Sequence, residues 1–222
     1  MNFVRCLWGT EGRRLKVQND IKAVLKSKYP FDFTCMTYGK DNHKMLLDKG
    51  IKSILICDEP LMFPDEQLWG HKLYAWLKAS ELSDDRFCYI DWDVFQMRPL
   101  PDNFESMFDG KRFMVSLRIY FRRKIMWRKE HQRKAPCASW LYFGDRNVAK
   151  ELYALWIEMG KPRKEEAVLA MYTDINKKLD LSYYLANIEP KGLFCLKNHS
   201  PFVNGEIDKD CLYMHMTGRK VD

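Results

Sequence analysis

Within its first hundred residues the chain alternates short apolar runs with stretches of helical spacing, and that alternation narrows the possible folds more than any other feature. Residues 2–7 form an apolar run that breaks at Trp8-Gly9-Thr10, a strand followed by a turn. Val17, Ile21, Val24 and Leu25 then recur at helical spacing, and the helix has to stop before Pro30. Residues 31–38 read as a second strand closed by Gly39-Lys40-Asp41-Asn42, and residues 53–57 as a third. Leu73, Trp76 and Leu77 make an apolar helical stripe that ends at Ser83-Asp84-Asp85. Residues 87–90 are a short apolar strand running directly into Asp91-Trp92-Asp93. Strands separated by helices predict βαβ units, hence an α/β fold whose mostly parallel central sheet is flanked by helices. Further strands are expected over 112–117 and 138–143. Val148, Leu152, Leu155 and Trp156 mark a helix closed by Gly160 and Pro162, and another runs from Glu165 to about Lys178. The remaining tail has no strong period.

The 222 residues suit one substantial α/β domain rather than two large ones. With 46% apolar, 14% aromatic and 30% charged residues the composition is globular. The first residues carry too short an apolar run for a signal peptide, and no stretch is long enough to span a membrane, so a soluble chain is expected. Seven cysteines, an odd number with no C-x-x-C pair, argue against a disulfide framework or zinc site. A reducing, cytoplasmic location follows, the host cytoplasm if the source is viral. The formal charge of +7 favours an anionic partner.

In open parallel sheets, ligands gather beyond the carboxyl ends of the strands, where both Trp8-Gly9-Thr10 and Asp91-Trp92-Asp93 are expected. If residues 91–93 are extended, period two puts Asp91 and Asp93 on one side with Trp92 opposite. Two carboxylates so close repel unless a cation lies beside them. Hard oxygen ligands suit Mg²⁺ or Mn²⁺, whose shell is commonly completed by water and substrate phosphates. A lone D-x-D on the surface is more often just solvated. Here it follows an apolar strand, which follows an amphipathic helix, and Arg98-Pro99-Leu100-Pro101 comes after it.

The segment from Trp69-Gly70-His71-Lys72-Leu73 to Phe87-Cys88-Tyr89-Ile90-Asp91-Trp92-Asp93 resembles the helix, strand and D-x-D core of GT-A glycosyltransferases. The resemblance implies a single GT-A-like domain over residues 1–222. About 1–100 would be its nucleotide-sugar half and about 101–222 its acceptor-side half. It implies that Asp91 and Asp93 contact the metal and the donor's ribose and phosphates, and that Trp8, Gly9 and Thr10 line the nucleotide site. Cys137-Ala138-Ser139-Trp140-Leu141-Tyr142-Phe143-Gly144 is similar to the strand lining the acceptor side. The end, His215-Met216-Thr217-Gly218-Arg219-Lys220, is similar to an H-x-x-G-x-K element in which His binds metal and Lys touches the diphosphate. A Glu or Asp facing the acceptor is implied near Glu166 or Glu165, which otherwise serve a helix dipole, and Asp145 is a further option. The implied cofactors are Mn²⁺ or Mg²⁺, with a nucleoside-diphosphate sugar as donor.

Other candidates come from position alone. Lys72 and Lys78 lie on the helix before D-x-D, and either is placed to reach the donor. Tyr38 closes the second strand, where it can stack on a base or pack in the core. Residues 118–134 hold eight Lys or Arg among seventeen positions, with Glu130 the only acid and Tyr120, Phe121 and Trp127 interleaved. Arg118, Arg122, Arg123, Lys124, Trp127, Arg128, Lys129, Arg133 and Lys134 are thus candidate nucleic-acid contacts, against the plainer reading of a solvated loop or helix face. A hydroxymethylated cytosine in phage DNA is one acceptor that suits such an enzyme, reached by groove distortion or base flipping. A bacterial or viral surface saccharide is the enzymatic alternative. The rivals from other classes are a non-catalytic nucleic-acid-binding module and a nucleotidyltransferase.

Overall fold

The computed structural model describes residues 1–82, 86–96, 98–121, 132–176, 194–196 and 212–215. Nine strands and five helices lie among them: β1 Asn2–Leu7, α1 Glu11–Leu25, β2 Thr34–Tyr38, α2 Lys40–Leu47, β3 Ser53–Cys57, α3 Gly70–Leu82, β4 Phe87–Ile90, β5 Val94–Gln96, β6 Phe113–Phe121, β7 Gln132–Phe143, α4 Asn147–Glu158, α5 Glu165–Asn176, β8 Phe194–Leu196 and β9 Tyr213–His215. Six strands make one sheet in the order β3-β2-β1-β4-β7-β6, and β5, β9 and β8 make a small second one. Strands β3, β2, β1 and β4 are mutually parallel, whereas β7 pairs antiparallel with both β4 and β6. The expected α/β architecture is therefore present.

Several elements differ from the sequence reading. Residues 40–47, expected to open with a closing turn, form α2, because Gly39 at φ +84° turns the chain straight into a helix. The second strand starts at Thr34 rather than at residue 31. Strands β6 and β7 run past their expected bounds to residues 121 and 132, so both ends of the basic segment are strand backbone. Residues 91–93 are a turn, not extended chain, closed by the Val94 N–H donating to the Asp91 carbonyl at 3.1 Å.

The core is aromatic. Trp76 from α3, Trp140 from β7 and Trp156 from α4 are fully buried, each removing about 150–250 Å² from water, at most roughly 4–6 kcal/mol apiece. Phe87 stacks on Phe143 at 4.5 Å between ring centres and locks β4 against β7. The five cysteines whose side chains are described are free thiols, and no helix among the described residues is long and apolar enough to cross a membrane.

Candidate active site

Parallel pairing of β1 with β4, Val4 opposite Tyr89, makes both strands end on the same side of the sheet. Trp8-Gly9-Thr10 and the turn 91–93 therefore rise together. Antiparallel β7 crosses the end of β4 with Trp140 opposite Ile90, so Cys137, Ala138 and Ser139 flank the same opening. The pairing of β6 steps from Leu141 to Cys137 between Val115 and Ser116, an irregularity that bends β7 beside the turn. From this bend the Ser139 carbonyl accepts the Asp91 N–H at 2.9 Å.

Two cavities meet here. One of about 260 Å³ lies toward β7 and α5 and is lined by Asp91, Asp93, Ser139, Lys164, Glu165 and Glu166 among others. The other, about 180 Å³, lies toward β1 and α1 and is lined by Trp8, Arg13, Asp20, Trp92, Asp91 and Asp93 among others. Trp69 and Lys72 border both. The turn thus brings Asp91 and Asp93 to one cleft although the chain there is not extended.

Lys72 is the hub of the cleft. Its ammonium donates to Asp91 Oδ2 at 2.7 Å, stands 3.0 Å from Glu165 Oε1, and lies 4.9 Å from the centre of the Trp69 ring. Burial disfavours its charge, yet Asp91 and Glu165 outweigh burial and raise its pKa above the ordinary lysine range. Glu165 is buried at the first turn of α5, and that burial holds its carboxyl above the ordinary value in spite of Lys72. Tyr89 donates its hydroxyl to Asp91 Oδ1 at 2.6 Å. Each Asp91 oxygen therefore has one donor and keeps a second lone pair for a further partner.

The turn is tied down from behind. Arg5, fully buried on β1, donates to the carbonyls of Asp91 and, at 3.3 Å, Val94, under the rings of Phe31, Phe33 and Trp92. Burial pulls its pKa down to about 10, which leaves it charged at neutral pH. Trp92, between the two aspartates, donates its indole N–H to the Cys6 carbonyl at 2.9 Å.

Whether this cleft fits a divalent cation turns on its donors. Two carboxylates on one tight turn are hard oxygen ligands of the kind Mg²⁺ and Mn²⁺ take, with water and phosphate filling the rest. Among the described residues no group of three His, Cys, Asp or Glu side chains stands close enough to hold a metal. The backbone of His215 on β9 pairs with Val94, the residue next to Asp93. The donor set fits a cation that shares its shell with substrate.

The remaining expected residues fall in several places. Gly9 and Thr10 face a third cavity of about 340 Å³, between the starts of α1 and α2, with Gly39, Lys40, Asn42 and Pro60. Trp8 points the other way, into the Asp91 cleft, packed on the His71 ring at 5.8 Å and against Trp69 at 5.5 Å. Tyr38 is enclosed in the core with its hydroxyl donating to the His71 carbonyl at 2.8 Å, so it has no open face for a base. Asp145 sits at the opposite end of the sheet, because Phe143 pairs with the first residue of β4, not its last. There, away from the Asp91 cleft, it accepts from Arg112 Nε at 2.8 Å and from the Asn147 N–H at 2.9 Å. Lys78 pairs with Glu81 at 2.7 Å, away from the cleft. Arg118, Arg133 and Lys134 are on the paired backbone of β6 and β7. Arg122, Arg123, Lys124, Trp127, Arg128, Lys129 and Lys220 lie outside the described residues.

Sequence reasoning passed over Arg5, Arg13 and Tyr89. A charged residue inside the apolar run Phe3-Val4-Arg5-Cys6-Leu7 was a visible signal for the first. Nothing in the local sequence marks the other two.

The sequence matches no family model and no curated protein. Its fold is nevertheless shared with solved glycosyltransferases. One involved in the glycosylation of the major capsid of PBCV-1 superposes with a TM-score of 0.53 at 14% identity, over 98% of this chain and 93% of that one. Mouse xyloside xylosyltransferase 1, in its apo form, gives 0.58 at 8% identity over 98% and 97%. The galactosyltransferase LgtC, solved with donor and acceptor sugar analogues, gives 0.53 at 13% identity over 98% and 87%. Identities this low speak for architecture alone: the chain has the GT-A-like glycosyltransferase fold.

Proposed function

We propose that this protein is a metal-dependent glycosyltransferase that moves a sugar from a nucleoside-diphosphate donor to a hydroxyl acceptor. The observation that carries the reading is the turn 91–93. It puts two carboxylates, Lys72 and Glu165 around one cleft at the carboxyl end of the parallel strands of a GT-A-like fold. Asp91 and Asp93, with His215 as a further ligand, would hold Mn²⁺ or Mg²⁺, which when bound neutralises charge on the departing diphosphate. Lys72 orients Asp91 through its 2.7 Å bond and places a positive charge beside the sugar site. Trp8, Gly9 and Thr10 border the nucleotide, the last two from the neighbouring cavity, and Lys220 would meet the diphosphate. Glu166, on the cavity wall that β7 also lines, is the carboxylate we favour for the acceptor side, with Glu165 held back by its ion pair to Lys72.

For the acceptor we favour a hydroxymethylated cytosine in DNA. The support is the basic segment 118–134, whose two ends are the paired strands β6 and β7, the latter forming a wall of the cleft. Cations interleaved with aromatics suit phosphate backbone and exposed bases.

A thermal-shift panel of nucleotide sugars, each with and without Mn²⁺, tests both parts. A ligand that binds the folded protein raises its melting temperature by mass action. One donor is expected to give a Mn²⁺-dependent rise that Asp93→Ala removes. A rise with duplex DNA that fades with salt supports the acceptor, and turnover on saccharides without it would move the acceptor to a surface polysaccharide. No response to any donor, together with a metal-independent response to DNA, would sink the transferase reading in favour of a binding module.

A further inference from the structure

Given the donor reading above, we infer that Arg13 is a diphosphate-binding residue of the cleft, held in place by Trp8 and Gly9. Its guanidinium carbon lies 3.8 Å from the centre of the Trp8 ring and 5.4 Å from that of Trp69, the same indole that Lys72 approaches. Its Nε is buried without a hydrogen-bond partner, and Asp91 and Glu165 act on it only through space. A guanidinium so placed has lost water and gained an aromatic face, which restores only part of the solvation energy. An anion in the adjoining cavity of about 180 Å³ would restore the rest.

The lining of that cavity says which anion. Arg13 and Lys72 face Asp20, Asp91 and Asp93, three carboxylates against two cations. A divalent cation on the aspartates reverses the local sign, so phosphate is admitted jointly with metal and not before it. The planar fork of an arginine matches two phosphate oxygens, which a lysine does not. Two linked phosphates would thus share one cavity with the carboxylate turn and with Arg13.

Gly9 makes this position of Arg13 possible. Its φ of +102° is one that side chains rarely adopt, and a Cβ there would fall 2.4 Å from Arg13 Cδ. Any larger residue at position 9 pushes the arginine stem off Trp8. The turn after β1 thus needs glycine to let a side chain fold back over it, as well as to bend the chain.

Calorimetry separates this inference from the reading beneath it. Wild type, Arg13→Met, Arg13→Lys, Gly9→Ala and Asp93→Asn are titrated, with Mn²⁺ present, with free nucleoside diphosphates and with the matching nucleosides. Far-ultraviolet circular dichroism checks that each variant is folded. Arg13→Met is expected to weaken the preferred diphosphate by about tenfold or more, while nucleoside binding moves by less than about twofold. Gly9→Ala should also weaken the diphosphate, and Arg13→Lys should fall between wild type and Arg13→Met. Diphosphate binding that Asp93→Asn abolishes and neither Arg13→Met nor Gly9→Ala changes overturns the inference and leaves the donor reading standing. Equal losses for nucleoside and diphosphate also overturn it, since they mark a packing role. A wild type that binds no nucleoside diphosphate ends both. If Arg13→Met does not fold, Arg13→Lys carries the same comparison.

Discussion

Strands β3, β2, β1 and β4 run parallel and release their turns at one end of the sheet, whereas β7 runs against β4 and, with its antiparallel partner β6, contributes strand edges instead of turns. The difference shows in what each region gives the cleft. The parallel strands and their helices supply Trp8, Arg13, Lys72, Asp91 and Asp93, with Arg13 over the Trp8 ring and Lys72 paired with Asp91. The antiparallel strands and the helices after them supply a wall, the carbonyl of Ser139 and the two glutamates that open α5. Charge chemistry is concentrated in the first region, and the second closes around it. Glu165 reaches across to ion-pair with the first region's Lys72.

Breaking that bridge should have the largest effect. Lys72→Met leaves Asp91 and Glu165 beside each other without their buried cation, and a loss of about 3–5 kcal/mol of stability is expected in urea unfolding. A loss below about 1 kcal/mol would mean that the two regions do not depend on the bridge. Adding Glu165→Gln should recover part of it, because one stranded charge is then gone.

The next effect comes from the helices that dock the regions together. Gly70 opens α3 directly under Trp156 of α4, and a Cβ would fall 2.4 Å from that ring. Trp156 is fully buried and donates to the Pro162 carbonyl at 3.0 Å, so it has no room to yield. Gly70→Ala is expected to cost about 1–3 kcal/mol by overpacking, read as a lowered unfolding midpoint with unchanged slope.

The smallest effect belongs to the far end of the sheet. Asp145 is pulled in opposite directions, raised by burial and lowered by Arg112 and the Asn147 N–H, and the hydrogen bonds win. A depressed folded pKa gives stability that is complete above the ordinary aspartate value of about 4 and is lost as pH falls through the folded value. Asp145→Asn should cost about 1 kcal/mol near neutrality and remove that acid-side loss, with cleft chemistry unchanged. A change in donor binding would contradict its placement away from the cleft.

Much of the parallel region could be read from the chain, because its apolar runs and breaking turns are local signals. Phe87-Cys88-Tyr89-Ile90 running into Asp91 is such a case, and in the other region the end of α4 at Gly160, whose φ is +76°, is as local a signal. Residues 40–47 were harder: a glycine at positive φ ends one element and starts the next equally well, and only the packing of Leu46 and Asn42 decides. Tyr38 could not be assigned because its fate depends on a carbonyl 33 residues away. Arg13 was invisible for a related reason, since its position depends on a missing Cβ at Gly9. In the small second sheet β5 and β9 are three residues each, too short to show a period, yet their pairing is what puts the His215 backbone near Asp93.

The tether from β1 has one more consequence. Holding one residue's backbone in a single conformation costs about 1–2 kcal/mol of entropy. Arg5 and Trp92 meet that cost for residues 91–94 when the chain folds. A ligand arriving at the aspartates thus encounters a receptor already shaped, and loses no affinity to ordering a loop. Its association needs no gating motion of the turn, so encounter and release should be governed by charge and by diffusion into the cleft.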